Sequence, residues 1–366
     1  MKTKLLALVL ALGILLCGCG DLIAAPIPQP GEAPSGSTLM VHYIDVGQAD
    51  CILLELEDEF ILIDGGNKAD SQLVVSYLEQ QGVTELEAVV CTHAHEDHVG
   101  GLPAVLAVYP TKAVYAPTNT YSSKIFDSFM KYVDQQGLEV IIPAPGDELS
   151  LGEMELMVVG PVKSYAETND TSIVLLGEYG DTRFLFTGDM EVAAENDMMD
   201  YWDTQVDWNV DVLKVGHHGS STSSGYRFVY EADPEYAIVS VGTDNTYGHP
   251  HEEILSRYAD AEIPLFRTDE LGHVIVTSDG SQIQVTWEKQ SSQPQQVDKA
   301  ESIRPTDPAQ SGKPLTPGYA YIGNVNTKKL HTPDCPKLPD LENQVYFSTE
   351  KEALAQGYDP HKECMG

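Results

Sequence analysis

Thr92-His93-Ala94-His95-Glu96-Asp97-His98, running on into Val99-Gly100-Gly101, concentrates metal-ligating side chains in one short stretch of a 366-residue chain. It follows the apolar run 86–91 directly, so a strand ends there and a loop carries the histidines towards a helix. Residues two apart on extended backbone project to the same side, so His93 and His95 can grip one cation. Asp97 and His98, on the turn into the helix, face a second position. Imidazole together with carboxylate suits zinc, with manganese or iron as competitors. A solvated polar loop is the alternative reading. Three histidines and an aspartate in six residues after a buried strand argue against it.

Around this stretch, from 39 to about 289, short apolar strands alternate with helical periods. Strands are expected at 40–45, 51–55, 60–63, 88–91, 113–115, 139–142, 154–159, 172–176, 183–187, 210–215, 236–241 and 273–277. Helices are expected at 71–81, 102–109, 123–136, 191–199 and 252–259. The opening strands form a meander and helices intervene later. The pattern predicts an α/β fold of two mixed sheets sandwiched between helices.

The spacing His93-x-His95-x-Asp97-His98 resembles the signature of the metallo-β-lactamase superfamily. The fold this resemblance implies is that family's αββα sandwich over 39–289, holding two divalent metal ions. The family's strand-end aspartate, which supports the metal loop from behind, matches Asp64 in Ile63-Asp64-Gly65-Gly66. Its metal-bridging aspartate matches Asp189 in Phe186-Thr187-Gly188-Asp189. Its late histidine falls in Lys214-Val215-Gly216-His217-His218-Gly219-Ser220, with His218 favoured as ligand and His217 as a phosphate or transition-state contact. The ligand set implied is thus His93, His95, Asp97, His98, Asp189 and His218. The family often places a further histidine before the bridging aspartate. Here Thr168-Asn169-Asp170-Thr171-Ser172 fills that place, so Asn169 backs the cluster without an imidazole. That departure resembles one branch, the hydrolase domain of ComEC-type competence proteins. So do Ile44-Asp45-Val46-Gly47-Gln48-Ala49-Asp50, the His-His-Gly-Ser run, Tyr247-Gly248-His249-Pro250 and Arg267-Thr268-Asp269.

The chemistry implied is hydrolysis. A divalent ion lowers the pKa of its water from about 15.7 towards about 7, and a metal pair about 3.5–4 Å apart stabilises attacking and leaving oxygens. Asp97 can hold metal and steer the nucleophile. His217, or His249 on its loop, can donate a proton or hydrogen bond to the leaving side. By the same resemblance, Asp45 and Asp50, which flank Gly47, lie beside the metals. A direct site role stands beside turn capping for both, and Asp45 is expected to back the site.

The ends of the chain carry other signals. Lys2 and Lys4 precede an apolar run, 5–16, too short to span a bilayer and suited to a signal peptide. It ends in Leu16-Cys17-Gly18-Cys19, which resembles a bacterial lipobox. Residues 1–19 are then a lipoprotein-type signal, Cys19 the lipidated residue and 20–38 a Pro-, Gly- and Ser-rich tether. The expected location is extracellular, anchored to the cell membrane by lipid alone. An ordinary secretory signal cut before Pro26 is the alternative. At the other end, 290–317 reads as a polar linker and 318–366 as a small module. It contains His331, Cys335, His361 and Cys364, spaced His-x3-Cys and His-x2-Cys. The block resembles the Ada-type zinc-binding module, with His361 where a cysteine is usual, and implies one further zinc. A metal-free small fold is the alternative. Cys51 and Cys91 sit in apolar runs and read as core residues.

Composition bounds the function. The chain is 42% hydrophobic and 8% aromatic, which excludes wholesale disorder. It carries 21 basic and 56 acidic residues, net −35. Residues 1–290 hold 13 basic against 46 acidic, net −33. A domain this acidic repels long polyanions. The resemblance to the competence-protein hydrolases implies a phosphodiester substrate, nucleic acid first among the candidates, and the acidity favours short or small ones. The alternatives are a cell-wall phosphoester (phosphocholine or teichoic acid), a β-lactam, or a non-catalytic surface binding protein with structural metals.

Overall fold

The computed structural model describes residues 37–289 and, beyond them, 321–324, 327–332, 344–347, 353–354 and 358–360. Cys19, the signal and tether readings, the 290–317 linker, Cys335, His361 and Cys364 lie outside the described residues.

The first sheet opens with β1 (Leu39–Tyr43), β2 (Ile52–Leu56), β3 (Glu59–Ile63), β4 (Leu86–Val90), β5 (Thr111–Tyr115) and β6 (Val140–Ile141). The second comprises β7 (Glu148–Leu151), β8 (Met154–Gly160), β9 (Val174–Tyr179), β10 (Thr182–Phe186), β11 (Val212–Lys214), β12 (Tyr236–Val239) and β13 (Leu265–Arg267). The chain then returns to the first sheet as β14 (Val274–Ser278) and β15 (Ile283–Trp287), giving orders β15-β14-β1-β2-β3-β4-β5-β6 and β13-β12-β11-β10-β9-β8-β7. The helices are α1 (Ser71–Gln80), α2 (Glu96–Val99), α3 (Leu102–Val108), α4 (Lys124–Gln135), α5 (Val192–Trp202), α6 (Tyr226–Ala232), α7 (Glu252–Asp260) and α8 (Thr268–Leu271).

Strand alternation builds the layers. In β2, Ile52, Leu54 and Leu56 face the other sheet and pack with Leu156, Phe184 and Phe186, whereas Leu53 faces α1 and α3. In the second sheet Leu185, Leu213 and Val239 face α5, α6 and α7. Three apolar slabs therefore separate four layers, helices–sheet–sheet–helices, as expected. The expectation omitted β7, β13, β15, α6 and the four-residue α8. β7 and β15 are edge strands with polar alternate residues, β13 has three residues, and α6 is a seven-residue helix. The strand expected at 172–176 begins two residues later, because the Ser172 hydroxyl receives the Asp189 N–H at 3.1 Å. Cys51 and Cys91 are buried free thiols.

What matters for function is strand direction. β3, β4, β5 and β6 run parallel, as do β10, β11, β12 and β13. Their carboxyl ends from both sheets open at one edge, where parallel sheets present loops to ligands. Near this edge the backbone is close-packed: a Cβ on Gly101 would lie 2.0 Å from the Gly65 carbonyl oxygen. Only glycine lets the start of α3 press against the end of β3. Among the C-terminal residues, β16 (Tyr321–Asn324), β17 (Lys329–His331), β18 (Gln344–Phe347) and β19 (Asp359–Pro360) form a sheet ordered β18-β16-β17-β19 over Leu330, Phe347, Ala353 and Tyr358. His331 is buried at the end of β17. Among the described residues no helix is long and apolar enough to cross a membrane.

Candidate metal centre

Each expected ligand leaves the carboxyl end of a strand. His93, His95, Asp97 and His98 follow β4, Asp189 follows β10, and His217 and His218 follow β11. The structure brings them together. His93 Nε2 lies 3.0 Å from His95 Nδ1 and 3.9 Å from Asp189 Oδ2. His98 Nε2 lies 3.2 Å from the same Asp189 oxygen and 4.0 Å from Asp97 Oδ2. His218 Nε2 lies 3.4 Å from Asp97 Oδ2 and 3.6 Å from Asp189 Oδ2. Asp189 Oδ2 is thus the common vertex of the cluster.

The imidazoles are aimed by their far nitrogens. His98 Nδ1 donates to Asp64 Oδ2 at 2.7 Å, and His218 Nδ1 donates to the Ser240 carbonyl at 2.9 Å. Each bond places the proton on Nδ1 and leaves the Nε2 lone pair facing carboxylate oxygens. His98 Nε2, His218 Nε2 and Asp189 Oδ1 are buried without a hydrogen bond. Electron-rich atoms facing one another in a buried site require a positive charge between them. Asp97, His98, Asp189 and His218 offer ligand atoms all within 4.8 Å of one another, so the donor set fits a divalent cation.

The electrostatics agree. Burial opposes charge on His98, yet Asp189, Asp64 and Asp97 outweigh it and hold its pKa well above the ordinary range. Burial also opposes charge on His218, which Asp189 and Asp50 carry up to about 10. Burial disfavours the Asp189 anion, but His98 and His218 hold that carboxyl well below its usual value. His93 departs in the other direction: burial and the neighbouring His98 press its pKa well below normal. Protons on His98 and His218 fill the role in the metal-free protein that a cation fills in the loaded one.

The turn presenting His218 is strained. His217 and His218 have φ of 48° and 53°, and Gly219 follows at 82°. Consecutive left-handed residues other than glycine cost about 1–3 kcal/mol each and persist where the surroundings over-determine them. Here His218 is tied to Ser240, and a Cβ on Gly219 would meet Pro250 at 2.6 Å.

The outer groups are sorted by their contacts. Asp64 receives Thr92 N–H at 2.8 Å and Thr92 Oγ1 at 2.6 Å besides His98, directly behind the cluster. Asn169 Nδ2 donates to Glu191 Oε1 at 3.1 Å and lies 3.4 Å from His217 Nε2. Asp45 stands apart. Its carboxylate receives Gly47 N–H at 3.3 Å and lies 3.7 Å from Lys289 Nζ, so it caps its turn, the alternative reading. Asp50 takes the backing position instead, 3.3 Å from His218 Nδ1 and 2.8 Å from Lys214 Nζ, all three residues being buried. His217 Nε2 lies 3.8 Å from Asp189 Oδ2, while its Nδ1 lies 3.1 Å from Thr222 Oγ1 and 3.4 Å from Glu191 Oε1. His249 Nδ1 is held by Gln48 Nε2 at 3.2 Å. Burial, then His218 and His217, lower the His249 pKa to about 4, so it faces the site as a neutral ring. His95, Asp97, His217 and His249 line an open cleft of about 360 Å³.

Sequence reasoning left Asp50 between a site role and turn capping, and did not foresee the roles of Lys214, Glu191, Thr222 or Gln48. The usable signal was Lys214. A lysine in the apolar run 210–215 has to find a buried anion if both strand faces are covered.

Comparison with known proteins agrees with this geometry. The profile described as Metallo-beta-lactamase superfamily matches residues 44–243. ComE operon protein 3 of Bacillus subtilis strain 168 is 28% identical over 253 residues, covering 64% of this chain and 32% of that protein. Competence protein ComA of Neisseria gonorrhoeae is 28% identical over 249 residues, covering 68% and 33%. The chain thus spans about a third of the length of these curated relatives. The metallo-beta-lactamase fold protein YhfI from Bacillus subtilis superposes with a TM-score of 0.45 at 14% identity, over 67% of this chain and 100% of that one. On the family match over residues 44–243 and the buried donor set, the chain belongs to the metallo-β-lactamase superfamily of metal-dependent hydrolases, and within it resembles the ComEC-type competence branch.

Proposed function

We propose that the chain is a divalent-metal-dependent phosphodiesterase, displayed outside the cell membrane through a lipid on Cys19. The observation that carries the catalytic reading is the convergence of His98 Nε2, His218 Nε2 and Asp189 in a cluster whose Asp97, Asp189 and His218 line an open cleft. His93, His95 and Asp189 would hold one cation; Asp97, His98 and His218, with Asp189 between, would hold the other. Zinc suits this set best and manganese is the competitor. Divalent cations there supply Lewis acidity, polarising a phosphoryl oxygen and lowering the pKa of water.

The protein's own side chains do the rest. Asp97 is partly exposed on the cleft side, where its carboxylate would steer the attacking water. His217 and His249 stand across the cleft as hydrogen-bond donors for the leaving-side oxygen. Asn169 steadies His217 through Glu191. A phosphodiester substrate is supported by relatives whose names refer to competence, and the acidity of the domain favours short substrates over long polyanions.

The test is turnover by the full chain loaded with zinc or manganese. Linear DNA, a dinucleotide, a phosphocholine ester and a chromogenic β-lactam are the substrates to compare. Hydrolysis of the dinucleotide is expected, and His95→Ala or Asp189→Ala abolishes it while the fold survives. Turnover of only the β-lactam refutes the phosphodiesterase reading, and turnover of only the phosphocholine ester, itself a phosphodiester, refutes a nucleotide substrate. For the C-terminal module, His331, Cys335, His361 and Cys364 would hold one structural zinc. Replacing Cys335 and Cys364 should release one equivalent, and unchanged zinc content refutes that site.

A further inference from the structure

Tyr247 is the most exposed large hydrophobic side chain among the described residues, at 68%, and it lines the mouth of the metal cleft. Its ring is near-parallel to that of His249, 25° apart with centroids at 5.5 Å, and His249 is in turn 25° from His218 at 6.5 Å. A file of offset aromatic rings therefore runs from the cluster to solvent, with Tyr247 outermost.

This file is fixed in place by the protein. Asn245 Oδ1 receives His249 N–H at 2.9 Å, and its Nδ2 donates to the Gly242 and His249 carbonyls at 3.0 and 2.6 Å. Gln48 bridges Gly242 N–H at 3.1 Å and His249 Nδ1 at 3.2 Å. The side-chain amides beside the platform are thus already engaged with the protein. What the mouth offers a substrate is chiefly a π-face, which suits a flat aromatic ring. A sugar needs free hydroxyl partners as well as a ring face. Among the described residues that line the cleft there is no lysine or arginine to hold a second phosphate.

We infer that Tyr247, backed by His249, is a stacking subsite for the nucleobase next to the scissile phosphate, which makes the preferred substrate a short or single-stranded nucleic-acid end. The inference rests on the phosphodiesterase reading and narrows its substrate class. Stacking gives affinity that tolerates any base and needs no cation from the protein. It therefore offsets the lack of basic residues in an acidic domain.

The experiment compares a dinucleoside monophosphate with its analogue carrying an abasic tetrahydrofuran unit in place of one base, using the full-length, metal-loaded protein. The wild type should show a KM about tenfold lower for the base-bearing substrate. Tyr247→Ala should erase that difference, and Tyr247→Phe should keep it. Equal KM values for the two substrates in the wild type, or a Tyr247→Ala loss of equal size on both, overturns the subsite. Calorimetric titration with an uncleavable dinucleoside methylphosphonate gives a readout independent of turnover, with about tenfold weaker binding expected for Tyr247→Ala. Unchanged binding overturns the subsite, as does displacement of the methylphosphonate by a disaccharide and not by a nucleoside. If no phosphodiester is hydrolysed, the phosphodiesterase reading fails, and this titration still decides whether Tyr247 holds a base.

Discussion

His98 and His218 enter the metal centre from different sheets, and each has a buried carboxylate behind it, but the two carboxylates live in opposite electrostatic surroundings. Asp64, behind His98, otherwise receives only the neutral donors of Thr92. Asp50, behind His218, is paired with the wholly buried Lys214 at 2.8 Å. Burial opposes ionisation of both. It prevails at Asp64, whose pKa rises, whereas at Asp50 Lys214 and His218 outweigh it and bring the pKa down to about 2. The difference has a topological reason. Asp50 immediately precedes the strand pair β2–β3 of the first sheet and Lys214 ends β11 of the second, so their ion pair joins the two sheets beneath the cluster. Asp64 reaches only across to the loop after its neighbour β4. One carboxylate orients a ligand; the other lies against a ligand already held by Ser240 and fixes the sheets to each other.

Removing Lys214 should break this comparison most severely. Lys214→Met leaves Asp50 charged and buried without its cation, which costs about 3–5 kcal/mol. The Asp50→Asn, Lys214→Met double variant should recover most of that loss, because neither charge is then stranded. Urea unfolding of the metal-free proteins measures both. A single-variant loss below about 1 kcal/mol would show that the pair contributes no such tie. Glu195 offers a carboxylate of the Asp64 kind away from the metals. It is buried on α5 and accepts the N–H groups of Ser224 and Gly225 at 2.5 and 2.7 Å. Burial raises its pKa from 4.5 to about 7. A folded pKa above the unfolded one contributes stability fully present below pH 4.5 and lost as pH rises through about 7. The loss across that window is roughly 3 kcal/mol. Glu195→Gln should flatten this part of the stability profile, and an unchanged slope between those pH values would assign it to other groups.

The contrast also marks where the sequence could be read. The strand before His93 and the loop–helix turn after it follow from an apolar run meeting a cluster of ligands, and the structure has β4 and α2 there. The four-layer order follows from strands that are apolar on both faces, such as Ile52 to Leu54, beside helices that are apolar on one. Asp64 was legible only through the family resemblance of Ile63-Asp64-Gly65-Gly66. Choosing Asp50 over Asp45 was not possible from spacing, since both flank the same turn. The deciding fact is that β2 starts beside the end of β11, a contact between residues 164 positions apart in the pair Asp50–Lys214. Lys214 signals a buried anion only where both faces of its strand are covered, and its partner was illegible for the same reason: what covers it is the loop of the first sheet that carries Asp50. Glu191 and Thr222, which flank His217, meet only because α5 and the loop after β11 converge.

Asp64→Asn gives the smallest expected effect and the cleanest view of orientation without the sheet tie. Asparagine can keep one oxygen for the Thr92 N–H, so the loop after β4 retains its anchor. The amide nitrogen would then face His98 Nδ1, and an N–H donor there requires Nδ1 to accept. The His98 proton moves to Nε2, the atom that faces Asp189 and Asp97, and the lone pair is withdrawn from the metal position. Metal affinity should fall about 10–100-fold, measured by competition with a chromophoric chelator. Stability of the metal-free protein should change little, because the variant also removes a carboxylate that burial disfavours. Asp50→Asn should behave differently, lowering metal-free stability by stranding Lys214. If the two variants lose stability equally while neither loses metal affinity, both carboxylates serve only the fold, and the division between an orienting and a tying partner disappears.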